Sequence, residues 1–533
     1  MQRRTLLAAV PVLATAAACR STGGSGPGDR KPPGSGAGSA TTTSTTTGGP
    51  PPGTGRSGSL PRAAAGWTAL GHGLDGKLVR PGDADYPTAR QLYNTRYDDL
   101  KPAAVAYIAG EDDIRECLAY ARAHHIPVSI RNGGHSYAGW SSGNGRLVID
   151  VSKLSHISAD GTIGAGAKLA DIYETLGRSS RAIPGGSCPT VGISGLTLGG
   201  GHGVASRAYG LTCDSLTSAT LITADGSRLT ASAKENKDLF WALRGAGNGN
   251  FGVVTGMTFR THAAPQTVSA YMSWPWSKAH AVIDAWQKWG PGQADEIWSS
   301  AHLEAASGGG TPSVSVAAFS LGTYGDLQNA VDRLADTVGA PARSVSLRRR
   351  GYEDAMLVYA GCGSLSEDQC HLPGPTPGRS TRGTLQRETY AAASDFYDRT
   401  LSTAGISALL SRTQAFAGLS AAKGAGSVAL TALGGAINRV SPSATAFVHR
   451  RSRILAQYIA SWQPGTAGTA QQAWLKDTHR AMGPYASGGA YQNYIDPKLT
   501  DWRTAYYGAG APKLAALKKQ YDPQRVFDFP QAL

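Results

Sequence analysis

Arg131-Asn-Gly-Gly-His-Ser-Tyr-Ala-Gly-Trp140 and Pro184-Gly-Gly-Ser-Cys-Pro-Thr-Val-Gly-Ile-Ser-Gly-Leu-Thr-Leu-Gly-Gly-Gly-His-Gly203 are the two stretches on which the reading of this chain turns. Each packs glycine around one reactive side chain, His135 in the first and Cys188 in the second. Glycine accepts positive φ and lets another backbone or a ligand come close. Successive N–H groups exposed in this way form concavities that hold phosphate. Glycine spacing alone leaves plain flexible loops as the other reading. Neither loop has the spacing of a P-loop or of the dinucleotide fingerprint, and Gly164-Ala-Gly166 by itself is a weak signal.

Around these loops the apolar pattern mixes strands and helices. Ala104–Ala109, Pro127–Arg131, Leu147–Val151, Thr162–Ala165 and Leu216–Ile222 read as strands, the last ending in the hairpin-like Ala224-Asp-Gly-Ser227. Glu111–His124, with Ile114, Leu118 and Ala121 on one stripe, Lys168–Leu176 and Asp238–Arg244 read as helices. A glycine-rich loop, Gly245–Gly252, follows. From about Val268 the texture changes. Ser269–Trp274, Ser313–Ser320 and Ser427–Leu433 look like strands. Ser277–Trp289, Leu327–Val338, Glu388–Leu410, Arg450–Trp462, Ala473–Met482 and Lys513–Gln520 look helical, and Tyr491–Tyr494 and Trp502–Tyr507 look like aromatic loops. The expected class is α+β.

The chain has 533 residues, enough for more than one domain-sized unit. Arg3 and Arg4, the apolar run Thr5–Ala18 and then Cys19 read as an export signal over residues 1–19. The paired arginines point to the twin-arginine route, and the Ala-Ala-Ala-Cys ending resembles a lipoprotein site with Cys19 as the lipidated residue. Residues 20–65 are Gly, Ser, Thr and Pro with few large apolar side chains, the composition of a disordered tether. Net charge is +14, of which +6 falls in residues 1–65. The mild remainder and the lack of a basic run with interleaved aromatics argue against nucleic acid as a partner. Cys362 and Cys370 bracket a short segment and suit a loop-stapling disulfide in an exported protein, with two unpaired thiols as the alternative. Cys117 and Cys213 read as buried small hydrophobes. No zinc spacing occurs, and no metal is expected.

The two loops resemble those of the berberine-bridge-enzyme-like FAD-linked oxidases, whose FAD domain is shared with vanillyl-alcohol oxidase and p-cresol methylhydroxylase. The resemblance runs from about Tyr86 to the C-terminus. It continues through Gly199-Gly-Gly-His-Gly203, Arg207, Tyr209-Gly-Leu211, Asp214, the segment Asp238–Gly252, Gly434–Arg439, Thr445–Arg450, Tyr491-Gln-Asn-Tyr494 and Tyr521–Phe527. It implies a two-part FAD-binding domain (66–267 and a C-terminal return at 488–533) with an inserted α+β substrate domain (268–487). It also implies FAD attached at two points, to His135 and Cys188. Carried over residue by residue, it assigns cofactor binding to Arg131, Asn132, Gly133, Gly134, Ser136, Gly186, Val191, Gly192, Gly195, Gly200, Gly201, His202, Gly203, Gly249, Asn250, Val254 and Asn493.

Oxidising an alcohol requires a hydride acceptor and a base for the hydroxyl proton. In carbohydrate-oxidising relatives a tyrosine of the Tyr-x-Asn-Tyr motif is that base. The resemblance assigns the role to Tyr494, with Tyr491 or an arginine orienting it and Asn493 holding the flavin or the loop. A phenol titrates near 10 when unperturbed, so a nearby positive charge is expected. Packing at a domain junction is the plainer reading of Tyr494. Val191 stands where the family's valine accompanies use of O2, and a core valine is the alternative. The aromatics Tyr485, Tyr491, Tyr494, Trp502, Tyr506 and Tyr507 suit either stacking on sugar faces or packing around the cofactor. The expected activity is an exported FAD oxidase acting on an alcohol or hemiacetal carbon of a carbohydrate. A tailoring oxidase or dehydrogenase of a glycosylated or polycyclic natural product, and a flavin-bearing protein without turnover, stand as alternatives.

Overall fold

The computed structural model describes residues 60–419 and 423–533. The export signal, Cys19 and most of the tether lie outside the described residues. Leu60 and Ala64 already pack on the core, earlier than the start expected near Trp67.

The first glycine loop hangs from a small sheet in the order Lys77–Val79, Ala104–Tyr107, Leu147–Asp150, Val128–Arg131. The last three strands are parallel and the first is antiparallel. Parallel neighbours need a crossover, and the helix Glu111–Ala123 supplies one between Ala104–Tyr107 and Val128–Arg131. Three acidic residues sit in its first turn, where the helix dipole favours them. A second, antiparallel sheet runs Thr162–Gly164, Val253–Phe259, Leu216–Ile222, Arg228–Ser232. One apolar core joins both sheets and also takes in Trp502, Tyr506, Leu514 and Phe527 from the C-terminal segment.

Between these parts lies a seven-stranded antiparallel sheet. Its order is Ser344–Gly351, Gln266–Trp274, Ser313–Ser320, Ile297–Ala306, Gly424–Ala432, Ile454–Trp462, Tyr390–Tyr397. Helices Ala279–Trp289, Tyr324–Val338, Thr403–Ala417 and Thr469–Met482 cover one face and form a second core. The other face turns toward the glycine loops.

One expected helix proves to be largely a strand and another to be part strand, part helix. Glu388–Leu410 divides into the strand Tyr390–Tyr397 and the helix Thr403–Ala417, and Arg450–Trp462 is largely the strand Ile454–Trp462. All of Tyr390–Tyr397 and most of Ile454–Trp462 are buried on both faces. Such strands show no polar alternation and cannot be told from buried helices by period. Strands Ile297–Ala306 and Ser344–Gly351 were not anticipated. Trp502–Tyr507 is a short helix rather than a loop, and Gln492–Tyr494 is a single tight turn. Cys362 and Cys370 are joined in a disulfide, and Cys117 and Cys213 are buried free thiols.

Candidate active site

The two glycine loops meet backbone to backbone. A Cβ on Gly133 would stand 2.5 Å from the Thr190 carbonyl oxygen and 2.6 Å from the Gly192 nitrogen, so the close approach needs glycine there. Asn132 closes the same seam. Its Nδ2 donates to the Ala165 carbonyl and to Ser194 Oγ at 3.2 Å, while Lys168 Nζ donates to its Oδ1.

These loops form one wall of a cavity of about 340 Å³. Asn132, Gly133, Gly134, His135 and Ser136 line it from the first loop. Gly186, Cys188, Val191, Gly192, Gly195, His202 and Gly203 line it from the second, with Gly249 and Asn493 beyond. The opposite wall is the open face of the seven-stranded sheet, through Trp298, Ser300, His302, Thr431 and Gln457. Tyr491 and Tyr494 enter from the C-terminal segment.

Five of the residues expected at the cofactor lie behind this wall rather than on it. Arg131 is buried and pairs with Asp150. Gly200 packs on Phe447, and the Gly201 N–H donates to Tyr491 Oη at 2.8 Å. Asn250 Oδ1 accepts from the Leu533 N–H, and Val254 is buried in the strand Val253–Phe259. Of the aromatic set, only Tyr491 and Tyr494 reach the cavity, whereas Trp502, Tyr506 and Tyr507 belong to the core.

His135 stacks on Tyr93 with ring centres 4.0 Å apart, and its Nε2 lies 2.8 Å from Thr190 Oγ1. Burial, and secondarily the charge of Lys168, lower its pKa to about 3, so the imidazole is neutral and nucleophilic at physiological pH. Cys188 packs beside Tyr137 against a cluster that contains Tyr93 and both disulfide cysteines. The Cys362–Cys370 staple therefore packs in the same cluster as Cys188.

Tyr494 stands between two other phenols. Tyr137 stacks on it at 5.3 Å, and Tyr491 meets it edge-on at 4.9 Å. Tyr491 Oη accepts from Gly201 N–H and from Asn493 Nδ2 at 2.9 Å, which fixes it as a brace. Asn493 spends its remaining capacity on Leu196 O and Asn248 Nδ2, so it holds the loop. The positive charge expected beside Tyr494 is replaced by a histidine: Tyr494 Oη lies 2.8 Å from His202 Nε2. Burial pushes the Tyr494 phenol well up and lowers His202 to about 4. Tyr137, Gln457, Tyr390, Ser300 and His302 escaped the sequence reading. Tyr137, two residues after His135, could have been flagged from its place in the loop, whereas the others sit on sheet strands read as helix or not read at all.

The cavity suits a large polar cofactor. Ser141 Oγ, His202 Nδ1, Asn248 Oδ1, Tyr390 Oη and Gln492 Oε1 belong to lining residues, are buried, and have no hydrogen-bond partner among the described residues. Buried polar atoms are normally satisfied, so this wall is built to meet hydrogen-bonding groups. A Cβ on Gly195 would meet nothing within 4 Å, which marks open space along the glycine cradle.

Comparison with known proteins agrees with this geometry. The family model for the FAD binding domain matches residues 102–232, and the model for berberine and berberine-like proteins matches residues 490–533. The FAD-linked oxidoreductase YgaK of Bacillus subtilis, itself uncharacterised, is 31% identical over 86% of this chain and 97% of its own. A xylooligosaccharide oxidase of Thermothelomyces thermophilus is 30% identical over 84% of this chain and 90% of its own. The solved structure of BBE-like 1 from Physcomitrella patens superposes with a TM-score of 0.78 at 30% identity, covering 87% of this chain and 97% of that one. The α+β architecture, the cavity between the glycine loops and the sheet, and these matches agree, and the chain belongs to the berberine-bridge-enzyme-like FAD-linked oxidoreductases of the vanillyl-alcohol-oxidase superfamily.

Proposed function

We propose that this protein is an exported oxidase that carries FAD bonded to His135 and Cys188 and oxidises an alcohol or hemiacetal carbon of a carbohydrate, passing the electrons to O2. The observation that carries the reading is Tyr494, buried in the cavity between the attachment loops and a polar sheet wall. Bound FAD supplies the hydride acceptor and, once reduced, delivers both electrons to O2 as H2O2. In this reading residues 66–267 and 488–533 seat the cofactor and 268–487 supply the substrate wall. Thr190 engages His135 Nε2, which leaves Nδ1 for the bond.

Ser300, His302, Thr431 and Gln457 offer neutral hydrogen-bonding groups across the cavity, the kind of wall that suits hydroxyls rather than a charged substrate. Val191 lines the cavity, and the family resemblance at that position supports use of O2. Relatives described as a chitooligosaccharide oxidase from Gibberella zeae and a carbohydrate oxidase from Microdochium nivale, each 28% identical, point the same way. Arg3, Arg4 and the apolar run to Ala18 support export, and Cys19 supports a lipid anchor. Covalent retention suits an enzyme that cannot replace lost cofactor outside the cell.

The test is anaerobic bleaching of the flavin by a panel of mono- and oligosaccharides, glycosylated metabolites and polycyclic alcohols. Bleaching by a sugar, reversed by air with peroxide release, is the expected result. Tyr494→Phe should slow bleaching about 10²–10⁴-fold, the usual contribution of a positioned acid–base group. Bleaching only by the polycyclic alcohols moves the assignment to natural-product tailoring. No bleaching by any compound points to a protein without turnover.

A further inference from the structure

Tyr494 cannot work as a base alone. Its phenol is pushed well above 10 by burial, and among the described residues no positive charge stands beside it to favour phenolate. A neutral phenol can take a substrate proton only by giving up its own at the same time, and one acceptor lies within hydrogen-bond reach of its oxygen. From this geometry we infer that His202 is the terminal proton acceptor of the site, with Tyr494 relaying the substrate hydroxyl proton to His202 Nε2. His202 acts through Tyr494 and is in that sense a positioning and proton-storing residue. The inference rests on the oxidase reading above for the identity of the reaction.

Three features of the structure leave room for this relay. Tyr494 Oη and His202 Nε2 are 2.8 Å apart, a hydrogen bond whose direction is set by the ring tautomer and which accommodates the O–H as donor. Burial alone holds His202 near a pKa of about 4, so the resting ring is neutral with one nitrogen free to accept. His202 Nδ1 is buried, belongs to a cavity-lining residue, and has no partner among the described residues. If Nε2 accepts from Tyr494, the ring proton sits on Nδ1, as a donor available to a molecule in the cavity. The titratable groups packed around the pair are phenols: Tyr491 against both rings, Tyr137 stacked on Tyr494, and Tyr390 edge-on to Tyr137. His302 on the sheet wall is engaged with Ser300 at 2.7 Å. His135 is the expected attachment residue on the opposite loop.

The step balances. The substrate C–H bond breaks with its electron pair passing to the flavin as hydride, and the carbonyl forms as the hydroxyl proton moves to Tyr494 Oη. The Tyr494 proton moves to His202 Nε2, giving an imidazolium. On reoxidation the hydride and the stored proton leave together with O2 as H2O2, and His202 returns to neutral.

A test independent of turnover is ¹⁵N NMR of the histidine-labelled, flavin-bearing protein, with the His202 signals assigned by His202→Gln. Nδ1 protonated and Nε2 accepting from pH 6 to 9, with the Nε2 shift moved by Tyr494→Phe, is the expected result. The Nε2-protonated tautomer, in which His202 donates to Tyr494, overturns the relay.

The second arm is anaerobic flavin reduction by xylobiose and chitobiose across pH. His202→Gln can still accept the Tyr494 hydrogen bond but cannot hold its proton. It should keep the flavin attached and lose at least about 100-fold in reduction rate at neutral pH, recovering as pH rises toward phenol ionisation. His202→Asn provides a second variant if the first is poorly folded. A variant within about threefold of wild type and with the same pH profile also overturns the relay. If neither sugar reduces wild-type flavin, the carbohydrate reading fails on its own, and the tautomer decides the relay.

Discussion

Burial acts in opposite senses on a phenol and on an imidazole, and the site uses both. The charged form is penalised in each case, so Tyr494 keeps its proton while His135 and His202 shed theirs. In the proposed function one neutral imidazole is the nucleophile toward the cofactor, and in the inferred relay the other is the proton acceptor. At Gly195 the useful property is the missing side chain. A Cβ there would meet no protein atom, so Gly195→Val adds bulk only to the space read as the cofactor's. The variant should fold, with the circular dichroism spectrum of wild type, and be purified with little or no flavin. Full flavin loading would show that the cofactor does not lie along this turn.

At the scale of elements, buried charge ties the two halves together. Arg207, fully buried, donates to the carbonyls of Ile297, Gln293 and Leu433, which joins the segment after the second glycine loop to the sheet. Arg450 forms a two-pronged pair with Asp214 at 2.7 and 2.8 Å across the same boundary. Removing one partner of such a pair costs far more than the pair itself contributes. The Cys362–Cys370 staple closes a short loop that packs under Tyr93 and Cys188. Replacing both cysteines with alanine should cost about 2–3 kcal/mol, the loop-closure value for a loop of this length, read as a lower denaturant midpoint.

The loops were legible in the sequence because glycine, His135 and Cys188 mark them residue by residue. So were the helix Glu111–Ala123 and the strand Leu216–Ile222, whose patterns are strong. Tyr390–Tyr397 and Ile454–Trp462 were not, because burial on both faces erases the alternation that signals a strand. The sheet wall of the cavity was lost with them: Tyr390 and Gln457 face the site only once these segments are strands. Behind the loops, Arg131, Asn250 and Val254 share motifs with the lining residues but brace the wall, a distinction that spacing cannot make.

For the whole molecule, the neutral histidines make stability depend on pH. His449 is buried, bonds to the Tyr506 carbonyl through Nε2, stacks on Phe396, and is lowered from 6.5 to about 4, chiefly by burial. Above pH 6.5 it is neutral in both folded and unfolded chains and its contribution is fully present. As pH falls from 6.5 toward 4 the unfolded chain takes the proton first, and stability is lost at about 1.4 kcal/mol per pH unit for each such group. Glu174, raised to about 7 mainly by burial and by Glu367, works in the opposite sense in the upper part of that window. Thermal midpoints measured from pH 7 to 4.5 should therefore fall less steeply for His449→Asn than for wild type, and equal slopes would exclude a neutral buried His449.

Every step of the chemistry depends on the cavity between the glycine loops and the seven-stranded sheet being the seat of a doubly attached flavin. Mass analysis of proteolytic peptides from the purified yellow protein tests that directly. One FAD joining the peptide that contains His135 to the peptide that contains Cys188, reduced to a single attachment in His135→Ala and in Cys188→Ala, is the expected result. Both peptides at their unmodified masses, with all flavin released on denaturation, would contradict it.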